Sequence, residues 1–212
     1  FREDIDINLG VGYVNERTIP KDMILDALRE VTETPGRHPF AFNYGGSKGS
    51  ANLIRAIKRF HCSNALCGLT PDMLDSLDII IGANGATSLL EAIATVLPTG
   101  IVITTDPMYY IYCDLLMRRG FEVVAVPEDD NGIRTDLLSN TIEKLGDRLK
   151  DISFFYIVTV NNPTGSILSN DRRRDIVQIA ARLSADCGRT VPVFFDRAYE
   201  SLIHDPDVPE PD

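Results

Sequence analysis

Four short polar segments, each directly after an apolar run, carry the residues of this sequence that could do chemistry. They are Asn84-Gly85-Ala86-Thr87, Asp106-Pro107-Met108-Tyr109-Tyr110, Asn161-Asn162-Pro163-Thr164-Gly165 and Asp196-Arg197-Ala198-Tyr199. In an open α/β sheet, ligands bind beyond the carboxyl ends of the strands. We therefore expect the ligand site of this protein to be built from these four segments.

The first segment has the composition of a phosphate-binding loop. Asn84, Gly85, Ala86 and Thr87 are small residues between a predicted strand and a predicted helix. Free backbone N–H groups and the helix dipole at such a helix N-terminus favour a bound phosphate. A plain tight turn explains the same residues, because glycine serves turns generally. The glycine patterns of P-loop and Rossmann proteins are absent from the sequence, which argues against both classes.

The other segments offer groups that could hold a planar, cationic ring. Tyr109 follows an Asp-Pro turn, where an aromatic side chain could stack on a ligand, whereas Tyr110 and Tyr112 are expected to pack in the core. Asn162 could cap a turn or bind a ligand. Asp196 ends a buried strand, and a buried carboxylate needs a partner. A protonated ring nitrogen would supply that partner.

Periodicity places these segments in an α/β protein. Strands are predicted at residues 79–81, 101–105, 122–126, 152–160 and 191–195, and they alternate with helical patterns. Further helices are predicted at residues 20–33 and 49–62, and Thr135 and Ser169 are predicted N-caps. Such alternation is typical of βαβ units and a largely parallel sheet.

Composition narrows the class of protein. The 212 residues carry 21 Lys plus Arg and 31 Asp plus Glu, a net charge of −10, which argues against nucleic-acid binding. No apolar run approaches the roughly 18 residues that span a bilayer. Four cysteines without a C-x-x-C pair, together with three histidines, predict free thiols and no metal site. The chain starts at Phe1 and stops in a proline-rich acidic tail, so we expect it to be part of a longer protein.

Taken as a pair, two of the motifs resemble one family. Asn161-Asn162-Pro163-Thr164-Gly165, followed about 30 residues later by a strand ending in Asp196-Arg197-Ala198-Tyr199, resembles the class I/II aminotransferases, pyridoxal-phosphate enzymes of fold type I. The segments 8–12 and 43–55 extend the similarity. The resemblance implies a three-layer αβα fold with a mostly parallel sheet. It also implies an N-terminal arm with part of the small domain at 1–40, and part of the large cofactor-binding domain at 41–212.

The resemblance also implies a role for each matching residue. Tyr109 would stack on the pyridine ring of pyridoxal 5'-phosphate, and Asp196 would pair with its protonated nitrogen. Asn162 and Tyr199 would contact the ring hydroxyl oxygen. The cofactor phosphate would be held by the backbone amides of Asn84, Gly85, Ala86 and Thr87.

Two further residues would act at the edges of this site. Tyr44 would reach the phosphate of the neighbouring subunit in a homodimer, and Gly12 would lie near the substrate carboxylate. The lysine that forms a Schiff base with the cofactor is expected downstream of Asp212. None of the lysines present follows a predicted strand; they are Lys21, Lys48, Lys58, Lys144 and Lys150.

The implied activity is transfer of an amino group between an amino acid and a 2-oxo acid in the cytoplasm. Three alternatives stay open from the residues. The chain could belong to a carbon–sulfur or other pyridoxal-phosphate lyase of the same fold, to a ligand-sensing domain of a transcription regulator, or to an inactive fragment. Arg172-Arg173-Arg174 is predicted to be a solvated helix face, and Arg197 is predicted to point outward.

Overall fold

The computed structural model describes residues 12, 14–64, 68–209 and 211, and strands alternate with helices in its second half. In chain order the elements are α1 Lys21–Glu33, α2 Ala51–Ser63, α3 Pro71–Ser76, α4 Gly85–Val96, β1 Ile101–Asp106, α5 Tyr110–Arg118, β2 Glu122–Asp129, β3 Gly132–Ile133, α6 Thr135–Leu145, β4 Ile152–Val158, α7 Asn170–Cys187 and β5 Val193–Asp196. No helix among these residues combines the length and apolar composition that crossing a membrane requires.

Contacts divide the chain into two compact units. Unit 1 comprises Phe1–Ile57 with Ile79–Ile81, and unit 2 comprises Lys58–Asp78 with Gly82–Asp212. Unit 2 contains the whole sheet and both of its hydrophobic cores. The boundary predicted from the resemblance, at residue 40, stays a prediction.

The sheet has the order β3-β2-β1-β4-β5, and all neighbours except the β2–β3 pair are parallel. The chain leaves β1 through α5 and runs to β2, on one side of β1. It returns through α6 to β4, on the other side of β1. The strand order therefore reverses between β1 and β4, and such a reversal opens a crevice at the carboxyl ends of the two strands.

Helices cover both faces of this sheet, as the predicted three-layer fold requires. On one face, α6 and α7 pack over Ile103, Phe155 and Ile157. On the other face, α4 and α5 pack over Phe154 and Tyr156. Alternate residues of β4 supply the two cores because successive side chains of a strand point to opposite faces. The run 152–158 is buried along its whole length, which explains its continuous apolar composition.

The helix ends agree closely with the capping residues in the sequence. Ser169 caps α7, and its side chain accepts a hydrogen bond from the Arg172 backbone N–H. Thr135, predicted as a cap, is instead the first residue of α6, behind the cap residue Arg134. The helix α7 ends at Gly188, whose left-handed backbone suits the residue without a side chain.

One predicted strand is wrong. Ile79–Ile81 pairs with no strand in the described part of the chain and lies in unit 1, where the Ile81 N–H donates to the Lys48 carbonyl oxygen at 2.9 Å. The Ile81 side chain lies directly over Gly49, where an added Cβ would stand 2.6 Å from the Ile81 Cβ. An apolar run has strand propensity, but a strand forms only where a neighbouring backbone offers a full ladder of partners.

Glycine at position 100 permits the close approach of β1 and β4. A Cβ built on Gly100 would stand 2.2 Å from the Asp151 carbonyl oxygen, a backbone atom that cannot move aside freely. We expect Gly100→Ala to lower the free energy of unfolding by about 1–3 kcal/mol, the usual cost of overpacking. Gly36→Ala is the control, because among the described residues no heavy atom other than those of its chain neighbours lies within 4 Å of its Cβ position. Urea denaturation of both variants measures the difference, and an equal effect would contradict the argument.

The core beneath α4 and α5 contains two tyrosines whose ionisation is suppressed. The rings of Tyr112 and Tyr156 meet edge to face at 4.7 Å. Burial raises the pKa of both phenols above the ordinary 10.0. Below pH 10 both phenols are neutral in the folded and in the unfolded chain. Above pH 10 they ionise first in the unfolded chain. Their contribution to the free energy of unfolding is therefore fully present below pH 10 and is lost as the pH rises.

We expect Tyr112→Phe to reduce this alkaline loss. The Tyr112 hydroxyl has no hydrogen-bond partner among the described residues, so its removal should not lower stability at pH 7. At pH 11 the variant should retain about 1.4 kcal/mol that the unaltered chain loses. Urea denaturation at both pH values tests this, with Tyr110→Phe as control because Tyr110 is 70% exposed. A Tyr112→Phe profile that falls as steeply as that of the unaltered chain would sink the prediction.

Candidate active site

The N-terminus of α4 offers unpaired donors to an anion. Asn84 precedes the helix without a side-chain capping bond, and Gly85 begins it with a positive φ of 58°. The Asn84 N–H donates to Ser88 Oγ at 3.1 Å. The N–H groups of the first helical turn lack intrahelical acceptors. Gly85, Ala86 and Thr87 are exposed, so these donors are accessible to a phosphate.

The register of β4 and β5 brings Asp196 to a buried phenol. Asp196 pairs with Val158, so its side chain lies on the same face as Tyr156. The Tyr156 hydroxyl donates to Asp196 Oδ2 at 2.8 Å, and the Ala198 N–H donates to Asp196 Oδ1 at 3.0 Å. Each carboxylate oxygen has a further lone pair, so the carboxylate can accept another donor.

Tyr109 lies at the start of α5, beside this carboxylate. Burial raises the pKa of its phenol, and the nearby Tyr199, Tyr110 and Asp196 raise it further. The Tyr109 ring is half-buried against the core that contains Tyr156. Tyr110, predicted to be a core residue, is exposed, whereas Tyr112 is buried as predicted. Tyr109 therefore presents an aromatic ring next to an anionic group.

Asn162 and Tyr199 meet at the same place. Asn162 Nδ2 donates to the Tyr199 hydroxyl at 3.4 Å, across 37 residues of sequence. Tyr199 is 40% exposed, so its hydroxyl remains accessible to a ligand. The structure thus brings together the four side chains predicted to surround a planar ring, which are Tyr109, Asn162, Asp196 and Tyr199.

The first asparagine of the pair has a structural role that the sequence did not reveal. Asn161 is buried, and its Nδ2 donates to the Pro107 carbonyl oxygen and to Glu128 Oε2, both at 2.8 Å. Thr164 donates to the other Glu128 oxygen at 2.5 Å. These bonds join the loop after β4 to the ends of β1 and β2. Asn161 therefore fixes the loop from which Asn162 projects.

A cavity of about 790 Å³ lies beside these loops, on the β2 side. Its lining includes the carboxylates of Glu128, Asp129 and Asp130. Hydrogen bonds from the Arg172 guanidinium hold the pKa of the Asp129 carboxyl below its ordinary value. Carboxylates repel a phosphate, so this cavity does not suit an anionic cofactor.

Two further predicted site residues, Tyr44 and Gly12, belong to unit 1. Tyr44 is 97% exposed, and Gly12 has no heavy atom within 4 Å of its Cβ position. In unit 2, Lys58 is paired with Asp75 at 3.0 Å. Lys150 lies in the turn before β4, at the amino end of the sheet, and the carboxyl ends carry the cluster.

One prediction about arginines is wrong in part. Of the run Arg172-Arg173-Arg174, Arg174 is exposed, but Arg173 is buried and forms an ion pair with the buried Glu200. Arg197 is exposed, as predicted, and also contacts Glu200. The sequence did not signal the contacts of Tyr156 and Glu200. Their partners are 40 and 27 positions distant in the chain, and no local pattern signals such contacts.

Comparison with known proteins gives the family. The family model described as aminotransferase class I and II matches residues 4–210. An LL-diaminopimelate aminotransferase of Phocaeicola vulgatus is 30% identical over 209 residues, with 96% of this chain and 47% of that protein covered. An uncharacterized HTH-type transcriptional regulator of Bacillus subtilis, YisV, is 25% identical over 210 residues, covering 99% of this chain and 39% of that protein.

A solved structure shares the fold. The kynurenine aminotransferase of Pyrococcus horikoshii superposes with a TM-score of 0.72 at 24% identity, over 87% of this chain and 42% of that one. This chain thus spans less than half the length of these relatives. Class I and II aminotransferases use pyridoxal 5'-phosphate as cofactor. Because the family model matches nearly its whole length, the chain belongs to the class I and II aminotransferase family.

Proposed function

We propose that this chain supplies the cofactor-binding part of a pyridoxal-phosphate-dependent aminotransferase. In this proposal the whole protein moves an amino group between an amino acid and a 2-oxo acid. The observation that carries the proposal is the convergence of Tyr109, Asn162, Asp196 and Tyr199 at the carboxyl ends of β1, β4 and β5. Family membership supplies the reaction class.

The groups present fit the cofactor part by part. The first-turn amides of α4, from Gly85 to Thr87, suit a phosphate. The Tyr109 ring suits stacking on a pyridine, and the Asn162 amide and Tyr199 hydroxyl suit an oxygen on that ring. Asp196 suits a protonated ring nitrogen, because its oxygens have lone pairs left beyond the bonds from Tyr156 and Ala198.

The bound cofactor acts as an electron sink for the α-carbon of the amino acid. The role of Asp196 is to keep the proton on the ring nitrogen, because a nearby carboxylate favours the charged form of that nitrogen. The role of Tyr156 is to hold Asp196 in position through its 2.8 Å hydrogen bond. Tyr109 restricts the ring to one orientation. The proton at the α-carbon needs a base that this cluster does not supply, and we assign it to a lysine beyond Asp212.

We also propose that the protein is a cytoplasmic homodimer in which Tyr44 contacts the cofactor phosphate of the partner. The supporting observation is the exposed apolar surface of unit 1. Its members are Met23, Ile24, Leu25, Leu28, Phe40, Phe42 and Tyr44, each more than half exposed. Exposed apolar clusters of this kind mark interaction surfaces.

A sensor domain of a transcription regulator is the second candidate, and one observation favours it. The match to the Bacillus subtilis regulator covers 99% of this chain. A helix-turn-helix segment in the same reading frame would support this candidate.

Dependence of amino-acid turnover on an added 2-oxo acid would support the transferase, and turnover without an acceptor would support a lyase. A panel should start with LL-diaminopimelate and kynurenine, the amino acids named for the relatives.

Asp196→Asn tests the ring contact directly. We expect the Kd for pyridoxamine 5'-phosphate to rise about 10–100-fold, because a charge-assisted hydrogen bond contributes about 1.5–3 kcal/mol. Pyridoxamine phosphate is chosen because its binding needs no lysine. Isothermal titration measures the Kd, and Asp130→Asn is the control with the same charge change at an exposed site. Equal affinity of both variants would show that Asp196 does not face the pyridine nitrogen.

The lysines allow a second test of the 212-residue chain. We expect pyridoxal phosphate followed by borohydride to label the five lysines sparsely, with no dominant site, because Lys58 is paired with Asp75 and Lys150 lies at the end of the sheet opposite Asp196. Peptide mass spectrometry reports the distribution, and the urea-unfolded chain provides the reference pattern. Stoichiometric labelling of one lysine in the folded chain alone would place the covalent step within these residues and refute the expectation.

A further inference from the structure

The loop that carries Asp196 and Tyr199 is anchored by a buried ion pair. Arg173 and Glu200 are 6% and 7% exposed, and Arg173 Nη2 lies 2.5 Å from Glu200 Oε1, as an ion-pair contact rather than an aligned hydrogen bond. Arg173 Nε also donates to the Leu168 carbonyl oxygen at 3.3 Å. The other Glu200 oxygen contacts the half-exposed Arg197. Glu200 therefore lies between guanidinium groups from α7 and from its own loop.

This loop enters the protein interior through Glu200. It follows β5, an edge strand that pairs only with β4 among the described residues. Its short 3-10 turn Glu200–Leu202 is closed by the Leu202 N–H donating to the Tyr199 carbonyl oxygen at 2.9 Å. The Tyr199 side chain is 40% exposed, so core packing does not fix it. The adjacent Glu200 is the buried side chain of this turn.

Stability alone does not account for a buried ion pair. Desolvation of two charges offsets most of their attraction, and apolar pairs of similar volume are often as stable or more so. Removing one partner is costly, however, because it leaves a buried charge uncompensated. An ion pair differs from apolar packing in fixing a geometry, and here the geometry concerns the residue next to Tyr199.

We propose that Arg173 and Glu200 are positioning residues that set Tyr199, the neighbour of Glu200, for the pyridine ring. The proposal rests on the proposed function. The pair acts on the ring contacts only, because the phosphate donors of α4 belong to another loop. Loss of the pair should therefore weaken binding of the ring and leave binding of a phosphate unchanged.

The decisive variant removes both charges. Glu200→Gln is expected to lower the melting temperature because it leaves the buried Arg173 charge uncompensated, and Arg173→Met is expected to lower it less because Glu200 keeps its contact with Arg197. The double variant Arg173→Met/Glu200→Met is expected to recover the melting temperature of the unaltered chain. Its Kd for pyridoxamine 5'-phosphate should nevertheless remain about tenfold weaker, the loss expected from one displaced contact. Its Kd for inorganic phosphate should not change.

Two readouts separate the possible results. Amide hydrogen exchange at Leu202 and Ile203 should accelerate in the double variant, while exchange in β4 stays slow. A double variant that binds pyridoxamine phosphate as tightly as the unaltered chain would overturn this inference and leave the proposed function standing. An unaltered chain that binds no pyridoxamine phosphate would overturn both.

A double-mutant cycle identifies the route of the effect. In a Tyr199→Phe background, removal of the ion pair should have no further effect on the Kd for pyridoxamine phosphate, because its target, the Tyr199 hydroxyl, is already lost. A further loss of similar size in that background would mean that the pair stabilises the site in general, and would overturn its role as a positioning device.

Discussion

The site depends on the reversal of strand order between β1 and β4. Because the chain crosses one face after β1 and the other face after β4, the loops that follow these strands diverge instead of packing together. The Asn161 amide bridges the divergence by donating to the Pro107 carbonyl oxygen and to Glu128. We therefore expect that bridge to fix the distance between Tyr109 and Asn162. This distance would in turn limit the size of the ligand that the crevice accepts.

The buried polar residues behind the candidate site contact other groups of the protein, whereas the outer ones remain open to a ligand. Asn161, Tyr156 and Glu200 are buried and in contact with polar or charged partners of the protein, so they hold the framework. Asp196 and Tyr199 are only partly buried, and both retain hydrogen-bonding capacity. The framework residues thus lie behind the residues that would face a ligand. The conformational entropy of ordering the site is lost when the chain folds, and not when a ligand binds.

Much of this arrangement could be predicted from the sequence, because its signals are local. The strands β1, β2, β4 and β5 follow from apolar runs, and parallel pairing then places their terminal polar residues at one edge. The Tyr156–Asp196 bond depends on the register of two strands, and the Arg173–Glu200 pair on the docking of α7. Both contacts depend on tertiary structure, so no local sequence pattern predicts them. The failed strand at 79–81 has the same cause, since strand propensity cannot specify a partner.

The positions of the proposed cofactor-binding groups separate ligand binding from the chemical reaction. The groups proposed to bind the phosphate, to stack on the ring and to face its nitrogen all belong to residues 82–212, within one unit. In the proposal they hold the ligand through non-covalent contacts, and Lys58 and Lys150 of the same unit lie elsewhere, beside Asp75 and at the amino end of the sheet. A framework of this kind serves a transferase, a lyase and a sensor equally, because orientation of the ring precedes all three outcomes. Under the proposed function, their divergence must then arise from the base and from the groups around the α-carbon, because Tyr109 and Asp196 would hold the ring in the same way in all three.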